Sequence, residues 1–265
     1  MASGTGIPLV AVVLMLAGFG PPDQRHDAAP RALSAEDVLE RTLALYPTLQ
    51  SYSDTGTVTE EISGLINRSS FRTYYVSTPR NFFFEHRQIV TEYETGQKIP
   101  LSNRIVLWML HGQLQSWNSE LGTHDEFPEG TDQVAPFVQA TAGTSGAAVL
   151  IPSLIYARAN LRTTIQELGD IAGAGFETLG GRRCYKIMGI ARSVYPSGAI
   201  TNVRPATVWI DAETFLIRKV FTDTPKGYPQ GSIYRLTIAY QPRLSPALGD
   251  SLFRFTVPSA QRQGG

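Results

Sequence analysis

Two periodicities divide the chain. Between Ser34 and Pro47 apolar side chains recur at helical spacing, through Val38, Leu39, Thr42, Leu43, Leu45 and Tyr46. Ser34 is a natural N-cap, with Asp37 three residues later as a weak capping-box partner, and Pro47 ends the run. Beyond it the period falls to two. Ser51–Ile62 is rich in Thr and Ser and reads as an edge-like strand, broken at Asn67-Arg-Ser. Phe71–Val76 and Asn81–Val90 alternate on either side of a Ser77-Thr-Pro79 turn. Arg104–Leu110 is apolar on both faces, as in a strand covered from both sides. His111-Gly112 turns the chain into Gln113–Trp117.

The middle breaks this rhythm. Thr131–Ala142 has helix-compatible spacing in Val134, Phe137 and Val138. Gly143-Thr-Ser-Gly146 then leads into the apolar run Ala147–Ala157, where Pro152 argues against a regular helix and a second helix is expected after it. This stretch is either a pair of core helices or a helical cover over an apolar cavity, hinged at its Gly and Pro positions. Strands return at Arg183–Ile190. Ala206–Ile210 and Phe215–Phe221 form a hairpin around Asp211-Ala-Glu-Thr214. Ser232–Tyr240 places Tyr234, Leu236, Ile238 and Tyr240 on one side. Phe253, Phe255 and Val257 share one side of a last strand stopped by Pro258. Successive hairpins argue for one antiparallel sheet, and a sheet of about ten strands must curl.

The N-terminus changes the expected location. Ile7–Ala17 is apolar but shorter than the roughly twenty residues a spanning helix needs, and Gly18–Pro22 follows as a small-residue zone. Residues 1–20 therefore read as a signal peptide, although the segment before the apolar run lacks Lys and Arg, and residues 21–33 as a disordered connector. No cysteine near Ala17 would accept a lipid. Residues 34–260 are left for one domain of about 230 residues, with a helical insertion near 131–160. At 42% apolar and 17% charged the chain can bury a core. Its net charge of zero, from 23 basic and 23 acidic residues, gives no reason to expect nucleic acid or an anionic membrane as a partner. Cys184 is the lone cysteine, and reads as a buried structural thiol.

Chemistry is hard to find. None of His26, His86, His111 and His124 has the pair spacing of a helical metal site, and no His/Cys cluster exists. Gly143-Thr-Ser-Gly146 lacks the nucleophile-elbow pattern. Glu60-Glu61 and Asp125-Glu126 are adjacent carboxylates, which a strand would point to opposite faces. The expectation is a protein that is not an enzyme and needs no cofactor.

Several features together resemble the periplasmic outer-membrane lipoprotein carrier family (LolA-like), including its predicted periplasmic protein variants. They are the export signal followed by the early helix at Ala35-Glu-Asp-Val-Leu39, the Thr78-Pro79-Arg-Asn-Phe82 turn into an aromatic strand, Val208-Trp-Ile-Asp-Ala-Glu-Thr-Phe-Leu-Ile217, and the ending Leu252-Phe-Arg-Phe-Thr-Val-Pro258. The resemblance spans most of the mature chain. It implies a mainly β fold with α, a curved antiparallel half-barrel whose helices cover an apolar cavity for acyl chains. Two departures bear on transport. Thr78 stands where the carrier has an Arg that helps control opening, and the insertion is longer than the carrier pattern.

The expected cavity lining is Phe82, Phe84, Leu107, Tyr234, Leu236, Ile238, Tyr240, Phe253 and Phe255, with Leu150, Ile151, Leu154 and Ile155 as the lid and no metal ligands. The expected function is a monomeric periplasmic or secreted carrier that holds a lipid or lipoprotein acyl chain, with envelope membrane proteins as further partners. Two alternatives stay open: an envelope-stress sensor or interaction module resembling RseB, without transport, and a purely structural envelope protein.

Overall fold

The computed structural model describes residues 33–127, 148–156, 165–166, 168–194, 200–227 and 229–258. The signal, the connector and the Thr131–Ala142 helix expectation lie outside them. Helix α1 (Ala35–Leu45) begins as its cap dictates. The Ser34 hydroxyl accepts the Asp37 amide at 3.0 Å, and the Asp37 carboxylate accepts the Ser34 amide at 3.1 Å. Val38, Leu39 and Thr42 form its buried side. Pro47 cannot continue the amide ladder, so the chain tightens into a 3-10 turn at Tyr46–Thr48.

Thirteen strands among the described residues make one antiparallel sheet. They are β1 (Ser51–Ile62), β2 (Leu65–Val76), β3 (Asn81–Tyr93), β4 (Lys98–Pro100), β5 (Arg104–Leu110), β6 (Gln113–Asn118), β7 (Thr123–Glu126), β8 (Leu168–Leu179), β9 (Arg182–Val194), β10 (Ile200–Asp211), β11 (Ile217–Thr222), β12 (Tyr234–Tyr240) and β13 (Arg243–Leu244). The order is β7-β6-β5-β3-β2-β1-β12-β11-β10-β9-β8, with β4 on β3 and β13 on β1. The sheet is therefore two meanders joined at its centre by β1 and β12. Its ends, β7 and β8, do not pair, so it stays an open, curved half-barrel.

Alternation sorts the side chains onto two faces. The inner face gathers Tyr52, Val58, Phe71, Tyr75, Phe82, Phe84, Leu107, Met109, Ile187, Val208, Ile217 and Ile238 into one cluster with α1 and α2 (Leu150–Tyr156). The outer face carries a smaller cluster of Phe83, Val106, Trp108 and Phe253. β5 serves both, as its doubly apolar sequence requires: Ile105, Leu107 and Met109 point in, Val106 and Trp108 out.

Four expectations need correction. β1 lies mid-sheet, between β2 and β12. Its Thr and Ser positions populate the outer face, while Tyr52 and Val58 face the core. Asn67-Arg-Ser does not break the strand but pairs within β2. The turn is Ser63-Gly64, both at positive φ (39° and 89°), which suits a two-residue hairpin. Pro152 lies inside α2, in its first turn, where a missing N–H leaves no bond unmade. Finally, Leu252–Val257 is not a strand. A 3-10 turn covers Asp250–Phe253, and residues 254–258 have no regular structure. The inward edge of β1 is already occupied by β12 and β13, so this segment docks by its aromatic side chains onto the outer face instead.

Candidate functional site

The inner face has a dry end and a polar end. At the end nearer α1, Tyr46, Phe82, Phe84, Leu107, Met109, Ile151 and Ile210 are fully buried. Of the residues expected to line a cavity, Phe82, Phe84, Leu107, Leu236, Ile238 and Tyr240 all join this cluster. So do the four lid residues Leu150, Ile151, Leu154 and Ile155. Lining and lid therefore meet in one packed core. Tyr234 shares the face of Leu236 and Ile238 but lies half-buried towards the polar end, where its hydroxyl donates to Glu60 Oε1 at 3.1 Å. Phe253 and Phe255 belong to the outer cluster, with Phe255 5.0 Å from Trp108 and 5.5 Å from Trp117 between ring centres. Their inward assignment fails because they are carried by a segment that crosses the opposite face.

Polar groups are buried within the apolar end. Tyr46 and Tyr52 meet edge-on at 5.8 Å, and the Tyr46 hydroxyl accepts the Ile217 amide at 3.0 Å. Tyr52 donates its hydroxyl to Asp54 Oδ2 at 2.9 Å. Burial pushes the Asp54 carboxyl up to about 6, against the pull of hydrogen bonds from Thr73 and Tyr52. Burial also drives the Tyr46, Tyr52 and Tyr240 hydroxyls well above their ordinary range. The Tyr240 hydroxyl has no hydrogen-bond partner among the described residues. Towards the polar end, a cleft of about 100 Å³ is lined by Glu60, Asn67, Ser69, His86, Gln88 and Thr91, with Val58 and Val90 among them. Desolvation lowers the His86 imidazole to about 4, so it is neutral near pH 7.

The path of the chain matters as much as the lining. β7 and β8 are the free edges, and the connection between them carries α2 into the core, against the 3-10 turn that follows α1. A short helix that buries Leu150, Ile151, Leu154 and Ile155 is thus carried by the connection between the two free edges of an open sheet. The hairpin turn at Asp211 is held tightly. Its carboxylate accepts the amides of Glu213 and Thr214 at 3.1 and 3.0 Å, and Arg218 Nη2 at 2.8 Å. Burial alone would raise this carboxyl, but the Thr214 amide and Arg218 bring it below the ordinary range. No group of three or more His, Cys, Asp or Glu among the described residues could hold a metal ion, and no helix among them is long and apolar enough to cross a membrane.

Sequence reasoning missed the buried tyrosine–aspartate cluster. Tyr240 is far from the others in the chain, Tyr46 precedes the strand, and only Tyr52 and Asp54, two apart on a strand, carry a local signal. It also missed an arginine cluster on the outer face, where Arg72, Arg87 and Arg104 surround Glu85.

No family model matches the sequence, and no curated protein does. Solved structures that overlap it include the Mycobacterium tuberculosis lipoprotein LppX (13% identity, 78% of this chain and 95% of that one, TM-score 0.40). LprF from Mycobacterium bovis matches at 13% identity over 77% of this chain and 90% of that one, with a TM-score of 0.41. The Pseudomonas aeruginosa MucA/MucB complex gives 16%, 82%, 59% and 0.40 in the same order. At these identities and scores no family membership, ligand or partner passes from those proteins to this chain.

Proposed function

We propose that this protein is an extracytoplasmic binding protein that takes up one acyl chain, of a lipid or an acylated protein, on the inner face of its half-barrel. The observation that carries this reading is an apolar inner face running from β6 to β9, covered, among the described residues, by two short helices, one of them borne by the connection between the sheet's free edges. In this reading α2 is a cover, and the ligand enters where its side chains now pack.

Magnitudes support an exchange. Leu150, Ile151, Leu154 and Ile155 are buried, and four such side chains are worth about 6–12 kcal/mol of burial. A chain of about fifteen methylenes at about 0.8 kcal/mol each gains about 12 kcal/mol. A ligand that replaces α2 is therefore bound near balance, which suits loading and release. The unpartnered Tyr240 hydroxyl offers a donor to an ester or carboxyl oxygen.

Native mass spectrometry with lipid extraction, on protein purified from its own envelope, tests the reading. A stoichiometric lipid mass is expected, and delipidated protein should take up a fluorescent fatty-acyl probe. Protein that carries no lipid and leaves the probe unbound overturns it.

A further inference from the structure

The outer face presents an imbalance that the acyl site does not use. Glu85 is buried, its side chain only 3% exposed, and three guanidinium groups converge on it. Arg72 Nε lies 2.5 Å from Oε2 and Arg87 Nε 2.5 Å from Oε1, and Arg104 Nε also contacts Oε1. Arg72 stands directly opposite Glu85 across β2 and β3, while Arg87 and Arg104 stand directly opposite one another across β3 and β5. Like charges facing across an antiparallel pair destabilise it. Among the described residues no second carboxylate contacts any of the three, so two positive charges remain uncompensated.

The arginines are not equivalent. Arg104 is packed over Phe255 and Trp117, at 4.9 and 5.9 Å from the ring centres, and is the least exposed. Arg72 lies over Phe83 at 5.1 Å. Arg87 makes no ring contact among the described residues and is 54% exposed. All three turn Nε to Glu85, which leaves terminal nitrogens of Arg72 and Arg87 to the surface. There a depression of about 450 Å³ is lined by Thr55, Thr57, Ser70, Arg72, Glu85 and Arg87.

We propose that this depression is a binding site for a phosphoryl group. Arg72 and Arg87 supply paired guanidinium donors, whose planar fork matches two phosphoryl oxygens. The hydroxyls of Thr55, Thr57 and Ser70 reach the remaining oxygen from β1 and β2. A planar carboxylate, with two oxygens, would be satisfied by the guanidinium groups alone and leave that row of hydroxyls unused. The anion would relieve the Arg87–Arg104 repulsion, so binding and stability are coupled. The phosphoryl group can belong to a soluble phosphate or to a lipid headgroup at a membrane surface. The site lies on the face opposite the acyl cluster, and the proposal stands whether or not acyl binding does.

The test measures thermal unfolding of the full chain in inorganic phosphate against chloride at matched ionic strength, with calorimetric titration of phosphate. Phosphate is expected to raise the unfolding midpoint of the wild type, and to raise it further in Glu85→Gln, where the cationic surplus is larger. Arg87→Gln, at the most exposed of the three, should fold normally and bind phosphate about tenfold more weakly. Thr57→Val should weaken it by a smaller factor. Co-sedimentation with phosphatidylcholine vesicles, with and without phosphatidic acid, separates the sources. Sedimentation that depends on both phosphatidic acid and Arg87 assigns a headgroup, and protection by phosphate without sedimentation assigns a soluble ligand. Equal midpoints in phosphate and chloride, or equal phosphate binding by wild type and Arg87→Gln, overturn the proposal.

Discussion

At the residue scale, two buried titratable groups pull stability in opposite directions over the same pH range. Asp54 has its folded pKa raised from 3.8 to about 6. The native state therefore holds this proton where the unfolded chain has lost it, and stability falls as pH rises between those values. A shift of about two units corresponds to about 3 kcal/mol. His86 is the reverse case, lowered from 6.5 to about 4. Here the unfolded chain takes the proton first, so stability rises with pH over that window by a similar amount. The two nearly cancel in the wild type. Asp54→Asn should remove the falling contribution and leave stability rising by about 3 kcal/mol between pH 4 and pH 6.5, while His86→Gln should do the opposite. Urea unfolding at several pH values checks both signs, and variant curves parallel to the wild type's would show that neither group titrates as placed. Neither group was legible as special in the sequence, because an Asp among Thr and Ser, or a His between Glu85 and Arg87, reads as solvated surface. Their inward positions come from β-alternation combined with a register that only the paired sheet defines.

At the element scale, pattern survived where an element's own sequence carried its boundaries. The capping box at Ser34, the Asp211 hairpin and the alternation through Tyr240 each form as their residues specify. β8 was missed: it is rich in Gly and Ala, largely exposed, and lies at the sheet's free edge, so no buried face imprinted a period on it. The C-terminal segment misled for a different reason. Phe253, Phe255 and Val257 have period-two spacing, but such spacing also suits an extended chain laid across a sheet, and nothing local tells these apart. Phe253 is fully buried against Phe83, Val106 and Trp108. Phe253→Ala should cost about 3–5 kcal/mol. It should also loosen the segment from β3 and β5 and expose Trp108, shifting tryptophan emission to the red. A loss below about 1 kcal/mol with unchanged emission would show that the segment is not fastened by this side chain.

At the scale of the whole molecule, an open sheet of this width leaves its inner apolar face to be covered by something other than strands, and among the described residues α1 and α2 pack against it. The sequence announced the curl through its succession of hairpins, and the apolar Ala147–Ala157 run announced a buried segment that reads either as core helix or as cover. It could not say how tightly the cover is packed, since the burial of Leu150, Ile151, Leu154 and Ile155 depends on side chains from distant strands. That burial sets up a choice between two behaviours. A permanent core helix shares the stability of the sheet, whereas a cover opens locally at less than the global cost. α2 has few means of self-support: seven residues, a proline in its first turn, and no basic residue in its last turn. β12 is hydrogen-bonded on both sides, to β1 and β11. Amide exchange in Ser153–Tyr156 should therefore run at least tenfold faster than in Leu236–Tyr240 in the ligand-free protein. It should run faster still when a fatty-acyl probe is bound in place of α2's side chains. Exchange in α2 as slow as in β12, with or without the probe, would make the helix a fixed part of the core and remove the route by which an acyl chain could enter.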